Sequence, residues 1–342
     1  MMRALLCALA VCVVTAASGA ASAQVLDFEE LDGWREDDHS EALAVFRQTC
    51  DLLKGPEWAP LCQFAGDMAS RPEAAREFFE LFFRPVQVGD PPALFTGYYE
   101  PELEGSPVRT SRFNWPIYAR PPELQDGTVW RSRMEIDGGI LSGRGLEIAW
   151  LDDPVEVFFL HVQGSGRIRM PDGRVLRVGF AGKNGHPYVS VGKEMVRRGL
   201  LRLEEASART IRDWVQRNPI EGRALLGLNP SYVFFRKLPQ LASDRGPIGA
   251  MGRSITTLRS IAVDPLFTPL GAPVWVEKDG GRPLRRLFVA QDTGGAIKGT
   301  QRADIFYGTG ARAGEIAGEV KDGGRMMVLL PIDRAFAMLP EH

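Results

Sequence analysis

The spacing of apolar residues divides the chain into an N-terminal helical part and a longer part rich in strands. Between 40 and 85 apolar residues recur at helical spacing, and Ser40 could cap the first helix. A second helix is predicted from Arg71 to Phe83, because Pro72 suits its first turn and four phenylalanines give it an apolar face. We therefore expect helices before the first strands.

Beyond Gly89 the pattern changes to short apolar runs separated by glycine and proline, which is typical of strands and turns. Helices interrupt this pattern at Ser190–Gly199 and Leu203–Arg217. The chain is therefore predicted to be mainly β, with N-terminal helices. The predicted strands lie in or at 95–101, Trp115–Tyr118, Ile148–Val162, 229–235, Val274–Glu277, Leu287–Ala290 and Met326–Leu330.

The segment from Leu287 to Gly318 has the residue types of a functional site. Asp292 follows an apolar strand, and Asp304 stands beside Ile305 and Phe306. An acid in an apolar pocket has a raised pKa and keeps a proton available for donation. Aspartates near glycines also cap strand ends as ordinary turn residues, and that interpretation stands beside the first. Lys298 would either oppose the pKa shift or hold Asp292 ionised.

Two known motifs are only partly matched in this segment. The glycines from Gly308 to Gly314 have one residue too many for a dinucleotide fingerprint. Asp292-Thr293-Gly294 matches half of an aspartic-protease site, which needs two carboxylates sharing a proton. No second copy of that motif occurs in the chain. A homodimer could supply it, so a dimeric aspartic protease remains an open alternative.

Polar and aromatic residues at three other places are candidates for ligand binding. The run from Phe95 to Pro101 is either a packed strand or an aromatic platform for sugar rings. Gln163, at the end of a predicted strand, could hydrogen-bond a ligand, whereas Ser165 lacks the spacing of a nucleophile elbow. Lys183 and Asn184 lie among glycines, where they are either solvated turn residues or ligand contacts.

The N-terminal segment from Met1 to Ala23 is predicted to be a signal peptide. Arg3 precedes an apolar run, and Ala21-Ser22-Ala23 resembles a cleavage site. Cys7 and Cys12 lack the small preceding residue that lipoprotein processing prefers. No later apolar run reaches the roughly eighteen residues of a membrane span. The expectation is a soluble exported protein.

The remaining cysteines and the charges restrict the classes of function. An exported chain that keeps Cys50 and Cys62 is expected to bridge them, stabilising the fold by roughly 3 kcal/mol. The four histidines have no ligand spacing to one another or to cysteine, so no metal or other cofactor is predicted. With 41 basic and 43 acidic residues, the chain has no basic field for nucleic acid.

Several segments, taken in order, resemble the membrane-bound lytic murein transglycosylase A (MltA) family. The resemblance covers about residues 90 to 330, and the final third resembles the three-aspartate domain of that family. The matching acids are Asp264, Asp292 and Asp304. The segments are FTGYYEP, HVQGSG, AGKNGHPYVSVGK, NPSYVFF, AVDPLFTPLG and DTGGAIKGTQRADIFYGTG.

The resemblance implies a double-psi β-barrel with a second β-rich domain inserted into it. The barrel would use residues 24–102 and 241–342, with the three-aspartate segment at about 260–330. The insert would be 103–240. A groove between the two domains would hold a glycan strand of peptidoglycan.

The activity implied by the resemblance is cleavage of the β-1,4 bond between N-acetylmuramic acid and N-acetylglucosamine without water. The muramyl 6-hydroxyl attacks its own anomeric carbon, so one acid that becomes a base suffices. The resemblance gives that role to Asp304, a supporting role to Asp292 and a structural one to Asp264. The groove candidates, by motif position, are Thr96, Gly97, Tyr98, Gln163, Lys183, Asn184, Ser231 and Tyr232.

Location, partners and an alternative function complete the expectations. The enzyme would be a periplasmic monomer acting on glycan strands, with cell-wall synthesis or division proteins as further partners. Association with the outer membrane stays open because no convincing lipobox is present. The disulfide pair lies outside the matching motifs. The alternative is a glycan-binding wall protein without turnover, since an aromatic, amide-rich groove also serves binding.

Overall fold

The computed structural model describes residues 22–68 and 74–338, and fifteen strands lie within them. We number the strands in chain order. They are β1 Ala23–Val25, β2 Phe83–Val88, β3 Leu94–Glu100, β4 Glu102–Ser106, β5 Trp115–Tyr118, β6 Glu147–Leu151, β7 Ser165–Arg169, β8 Val175–Lys183, β9 Val233–Lys237, β10 Ser260–Val263, β11 Pro273–Lys278, β12 Leu284–Thr293, β13 Arg302–Thr309, β14 Lys321–Asp322 and β15 Gly324–Pro331.

Ten α-helical segments accompany the strands in the described residues, together with short 3-10 turns. The segment α4 continues directly into a π-helical turn at Ile136–Ile140. The helices are α1 His39–Thr49, α2 Trp58–Met68, α3 Ala74–Phe82, α4 Arg133–Glu135, α5 Pro154–Gln163, α6 Val191–Arg197, α7 Ala208–Arg217, α8 Pro219–Leu226, α9 Ala311–Glu319 and α10 Ile332–Phe336.

The larger sheet has nine strands in the order β1-β2-β15-β11-β12-β10-β13-β3-β14. Its strands come from the two ends of the chain. Most neighbours are antiparallel, but β10 pairs with β12, and β13 with β3, in parallel. The two parallel pairs bring the segments around Thr96, Asp292 and Asp304 into one region of the sheet.

The smaller sheet has six strands in the order β5-β6-β4-β7-β8-β9, all from the stretch between Glu102 and Lys237. The chain therefore leaves the larger sheet after β3 and returns to it only at β10. The β-rich architecture with N-terminal helices agrees with the sequence-based expectation. The domain boundaries at 103 and 240 remain a prediction.

The N-terminal helices α1 to α3 cover the larger sheet with aromatic side chains. Phe46, Phe78 and Phe79 of these helices and Phe83 of β2 are fully buried and belong to one core cluster with Trp275 of β11. The cap of α1 is Asp38, whose carboxylate accepts from the amides of Ser40 and Glu41, rather than Ser40 as the sequence suggested. The described part of α3 begins at Ala74.

The prediction of strand throughout Ile148–Val162 is wrong beyond Leu151. Asp153 caps α5 by accepting from the Val155 amide at 2.8 Å, and Pro154 occupies the first helical position. The helix is apolar on most sides because it lies between the smaller sheet and helices α6 to α8. Gln163 therefore stands at the end of a helix and not of a strand.

The predicted disulfide pair, Cys50 and Cys62, is bonded in the structure, with the two Cα atoms 5.5 Å apart. The bridge ties the end of α1 to α2. The predicted signal segment 1–23 lies almost entirely outside the described residues, as do Cys7 and Cys12. Within 22–68 and 74–338, no helix is long and apolar enough to cross a membrane.

Candidate active site

The two aspartates singled out in the sequence face the same side of the larger sheet. Asp292 on β12 and Asp304 on β13 are both paired in register with Ala262 of β10, one from each side. Residues in register across neighbouring strands point to the same face. Two strand spacings separate the aspartate Cα atoms, which is about 10 Å. The fold therefore places two half-buried carboxylates over one strand.

Asp304 has a hydroxyl partner on the neighbouring strand. The Thr96 hydroxyl donates to Oδ1 of Asp304 at 2.5 Å, and the Arg302 guanidinium donates to the Thr96 hydroxyl oxygen at 2.8 Å. Burial raises the pKa of Asp304, while the Thr96 hydrogen bond and the Arg302 charge act in the opposite direction. Phe306, two residues along β13, is buried, in line with the expected apolar flank.

Asp292 is held by three donors. Its Oδ1 accepts from the amides of Ala250 and Thr293, each at 2.9 Å, and its Oδ2 accepts from the Tyr98 hydroxyl at 3.0 Å. Burial raises the pKa of Asp292 to about 6, the three donors lower it, and the neighbouring charge of Asp304 adds to the rise. The two carboxylates therefore influence each other, and both have raised pKa values.

Tyr98 of β3 donates to one of the two acids and is influenced by the charge of both. From β3 its ring lies 5.3 Å from that of Phe306, measured between centroids, and its hydroxyl reaches Asp292. The phenol pKa is raised well above its ordinary value by burial and by the charges of Asp292 and Asp304. Tyr98 therefore serves as a hydrogen-bond donor at neutral pH.

Lys298 interacts with Asp264 and not with Asp292. Its ammonium lies 3.7 Å from an Asp264 oxygen, and the amides of Gly299 and Leu266 donate to the same carboxylate at 3.0 and 3.3 Å. Asp264 is only 3% exposed. The third aspartate thus ties the loop after β12 to the end of β10.

Three of the expected groove residues have positions that their sequence motifs did not show. Gly97 faces α9, where a Cβ atom would come within 2.7 Å of the Ala317 Cα. Gln163 accepts from the Tyr99 amide at 3.0 Å, so it connects α5 to β3. Lys183 is exposed at the end of β8.

Asn184 and Tyr232 belong to the interior, so the solvated-turn interpretation of Asn184 is wrong. Asn184 is fully buried and accepts from the Tyr232 amide at 2.8 Å. Its amide nitrogen donates to the Arg131 and Pro230 carbonyls at 2.7 and 2.8 Å. Tyr232 is 1% exposed, and its neighbour Ser231 is half-buried. The Asn184 side chain thus holds the backbone at Arg131 to the backbone at Pro230 and Tyr232.

A buried carboxylate that sequence reasoning missed joins the two sheets. Glu100, at the end of β3, is 1% exposed and accepts from Arg167 of β7 at 2.9 Å and from Arg177 of β8 at 2.7 Å. The Thr309 hydroxyl of β13 donates to the same carboxylate at 2.9 Å. We call Glu100, Arg167 and Arg177 the Glu100 joint.

The Glu100 joint also holds the returning chain. Arg177 donates to the Ala242 carbonyl at 2.7 Å, and Arg167 donates to the Arg245 carbonyl at 3.2 Å. The segment that leaves the larger sheet at Glu100 and the segment that returns to it through Ala242 and Arg245 are therefore both bonded to the same two arginines. An acid next to paired tyrosines was the only sequence signal, and it does not identify two arginines that are at least 67 residues away.

Metal binding is not suggested by any side-chain cluster within 22–68 and 74–338. No three histidine, cysteine or acidic side chains of that part of the chain are placed to hold an ion. Asp304 and Asp292 instead accept from hydroxyl and amide donors. What this arrangement can perform is proton transfer by carboxyl groups of raised pKa.

Two family profiles match the chain, the MltA specific insert domain over residues 94–236 and the 3D domain over residues 259–330. The membrane-bound lytic murein transglycosylase A of Vibrio cholerae is 36% identical over 263 residues, covering 72% of this chain and 69% of that protein. The chain belongs to the MltA family. The Escherichia coli member is 39% identical over 246 residues, which span 69% of this chain and 65% of that protein.

Solved structures of MltA proteins share the fold. The membrane-bound lytic murein transglycosylase of Agrobacterium tumefaciens has a TM-score of 0.81 at 35% identity, over 92% of this chain and 99% of that one. MltA from Neisseria gonorrhoeae reaches 0.78 at 35% identity, over 92% and 94%. E. coli MltA with bound chitohexaose reaches 0.72 at 30% identity, over 88% and 90%.

Proposed function

We propose that this protein is a lytic transglycosylase that cleaves peptidoglycan between N-acetylmuramic acid and N-acetylglucosamine and leaves 1,6-anhydromuramyl ends. The observation that carries the proposal is the pair of half-buried carboxylates over β10, both with raised pKa. Membership of the MltA family and the chitohexaose complex of the E. coli relative support a glycan as substrate.

In the proposed reaction Asp304 acts first as acid and then as base. Its protonated carboxyl gives the proton to the glycosidic oxygen as the bond from that oxygen to the muramyl anomeric carbon breaks. The muramyl 6-hydroxyl then bonds to the anomeric carbon, and the Asp304 carboxylate takes up the hydroxyl proton. The acid is regenerated and no water is consumed. Because the substrate supplies the nucleophile, a second catalytic carboxylate is not required.

Asp292 supports this chemistry from the neighbouring position. With a pKa of about 6, Asp292 is largely ionised at neutral pH. A fixed negative charge on this face favours the positive character that develops at the anomeric carbon. Tyr98 and the two amides hold the Asp292 carboxylate in place for that purpose.

The finer architecture belongs to the same proposal. We assign the nine-stranded sheet to a double-psi β-barrel formed by 24–102 and 241–342, and the six-stranded sheet to an inserted domain at 103–240. The glycan would lie between them. The proposed setting is the periplasm, with the protein acting as a monomer on glycan strands.

Mass spectrometry of the products from purified peptidoglycan tests the function. The wild-type product should be one water lighter than the hydrolysed disaccharide, and a chelator should leave the rate unchanged. Hydrolysed ends would exclude a transglycosylase, and absence of product alongside retained glycan binding would favour the non-catalytic binder.

Two variants test the roles of the acids. Asp304→Asn should fold, bind glycan and lose about 10² to 10⁴ in rate, because loss of a general acid–base has that effect. Asp292→Asn is the matched control on the same sheet and should be impaired but active. A rate above roughly a tenth of wild type in Asp304→Asn, set against that expected loss, contradicts the assignment.

A further inference from the structure

Arg302 is an unassigned cation at the proposed site. It begins β13 two residues before Asp304 and is half-buried. One end of its guanidinium donates to the Leu94 and Ala303 carbonyls at 3.2 and 2.6 Å. The other end donates to the Thr96 hydroxyl oxygen at 2.8 Å. The two carbonyls therefore orient the guanidinium so that its other nitrogen, Nη2, faces the Thr96 hydroxyl.

The direction of the hydrogen bonds at Thr96 follows from the chemistry of its partners. A guanidinium has only donors, so the Thr96 oxygen must be the acceptor from Arg302. The single hydroxyl proton is then free to point only toward another acceptor. Oδ1 of Asp304 lies 2.5 Å away in that role.

We propose that Arg302 is a positioning residue that acts through Thr96 and makes Oδ1 of Asp304 a permanent acceptor, so that the transferable proton resides on Oδ2. The inference rests on the proposed function, in which Asp304 is the acid. It assigns Thr96 to the acid itself and not to the glycan, and it gives Asp304 one defined oxygen for proton delivery.

The same contacts keep the acid able to return as a base. Burial alone favours the protonated carboxyl, and a group that held its proton too firmly could not deliver it. The Thr96 hydroxyl and the Arg302 charge favour the carboxylate. Other titratable groups that interact with Asp304 are Asp292 on β12, Tyr98 on β3 and Tyr307 on β13, while Lys321 on β14 pairs with Thr96 in register.

A carboxyl-carbon NMR titration of the full-length protein tests the inference directly. The Asp304 resonance is identified by its loss in Asp304→Asn and is followed against pH in four further variants. In Thr96→Val and Arg302→Met the Asp304 pKa should rise by about one pH unit, since a hydrogen bond or charge that favours the carboxylate is lost. Thr96→Ser and Arg302→Lys, which keep a hydroxyl and a donor, should remain near wild type.

A purely structural role for Arg302 predicts a different result. Loss of its bonds to the Leu94 and Ala303 carbonyls would reduce stability without moving the Asp304 titration. An unchanged pKa in Thr96→Val overturns the inference, and so does a Thr96→Ser shift as large as that of Thr96→Val. The Thr96 variants decide the role of Thr96. If Arg302→Met does not fold, Arg302→Gln takes its place, and an unchanged Asp304 pKa in a folded variant of this kind overturns the role of Arg302.

Kinetics add a readout that distinguishes this inference from the proposed function. In an active enzyme, the alkaline limb of kcat/KM should move to higher pH in Thr96→Val, because Asp304 stays protonated longer. The limb should not move in Thr96→Ser. A wild type without anhydro product would refute the proposed function, while the NMR titration would still decide the role of Arg302.

Discussion

Replacing Glu100 by glutamine should destabilise the protein far more than the loss of one surface ion pair. In the native structure the carboxylate is 1% exposed and faces two guanidiniums, of which Arg177 is 6% and Arg167 is 15% exposed. Glutamine keeps the shape of the side chain but removes the charge. Its NH2 group would then point a donor at a guanidinium, which itself has only donors.

The expected loss of unfolding free energy follows from the arginine charges that the substitution leaves unpaired. Removing one member of a buried ion pair leaves uncompensated charge in the interior and costs about 3 to 5 kcal/mol. Here one substitution leaves a buried cation, Arg177, and a largely buried one, Arg167, so we expect the upper half of that range. The loss should affect the association of the two sheets first, because both crossings of the chain are fastened by the Glu100 joint.

The assay is urea unfolding followed by tryptophan fluorescence, with Glu123→Gln as the matched control. Glu123 receives two bonds from Arg144, at 2.6 and 3.0 Å, but these side chains are 40% and 38% exposed. Exposed pairs contribute about 0 to 1 kcal/mol. Both variants remove a carboxylate that accepts from arginine, but Glu123 has one exposed arginine partner and Glu100 has two shielded ones. The comparison therefore tests whether burial makes the lost charge costly.

Equal losses in the two variants, both below about 1 kcal/mol, would refute the reasoning. That result would mean that water reaches the Glu100 joint and replaces the missing charge. A large loss in both would point to a general sensitivity of the fold to acidic-to-amide changes. A role for burial is supported only if Glu100→Gln loses much more unfolding free energy than Glu123→Gln.

Three further predictions concern redox state, domain organisation and pH. Denatured protein purified from the periplasm should contain no free thiol from Cys50 and Cys62, and two reactive thiols per chain would contradict the bridge. Limited proteolysis should cut near 103 and near 240 and leave the pieces associated, whereas early cuts only within 150–200 would refute those boundaries. The raised pKa of Asp292 means that the native state binds its proton more tightly, so stability should decline as pH rises from 3.8 to about 6. Asp292→Asn, measured by thermal unfolding, should lack that decline, so its stability relative to wild type should be higher at pH 8 than at pH 4. A parallel decline in both proteins would show that another group is responsible.

Much of the local structure followed from the sequence. The apolar strand before Asp292 and the helices predicted at Ser190–Gly199 and Leu203–Arg217 occur as local patterns predict. The helix α5 shows the limit of apolar patterning, because a helix buried on several sides reads like a buried strand. The signal that identifies it was present in Asp153 and Pro154, a cap followed by a proline at the first helical position.

The contacts that define the site depend on tertiary structure. Lys298 is near Asp292 in sequence but pairs with Asp264, because the turn after β12 returns to the end of β10. Asn184 looked like a loop residue, yet three backbone groups surround its amide. Arg302 lies in one of the segments that carry the resemblance, but no local pattern singled it out. These roles arise from strand pairing over long separations, which a local pattern does not encode.

The parallel pairing of β3 with β13 also determines at what point during synthesis the candidate site can form. Thr96 and Asp304 are 208 residues apart, and Tyr98 and Asp292 are 194 apart. A chain that emerges from its N-terminus presents β3 long before β13 and β14, the strands on either side of it. The six-stranded sheet can assemble during that interval, since all its strands have already emerged. The proposed acid, Asp304, can therefore meet Thr96 only after nearly the whole chain has been synthesised.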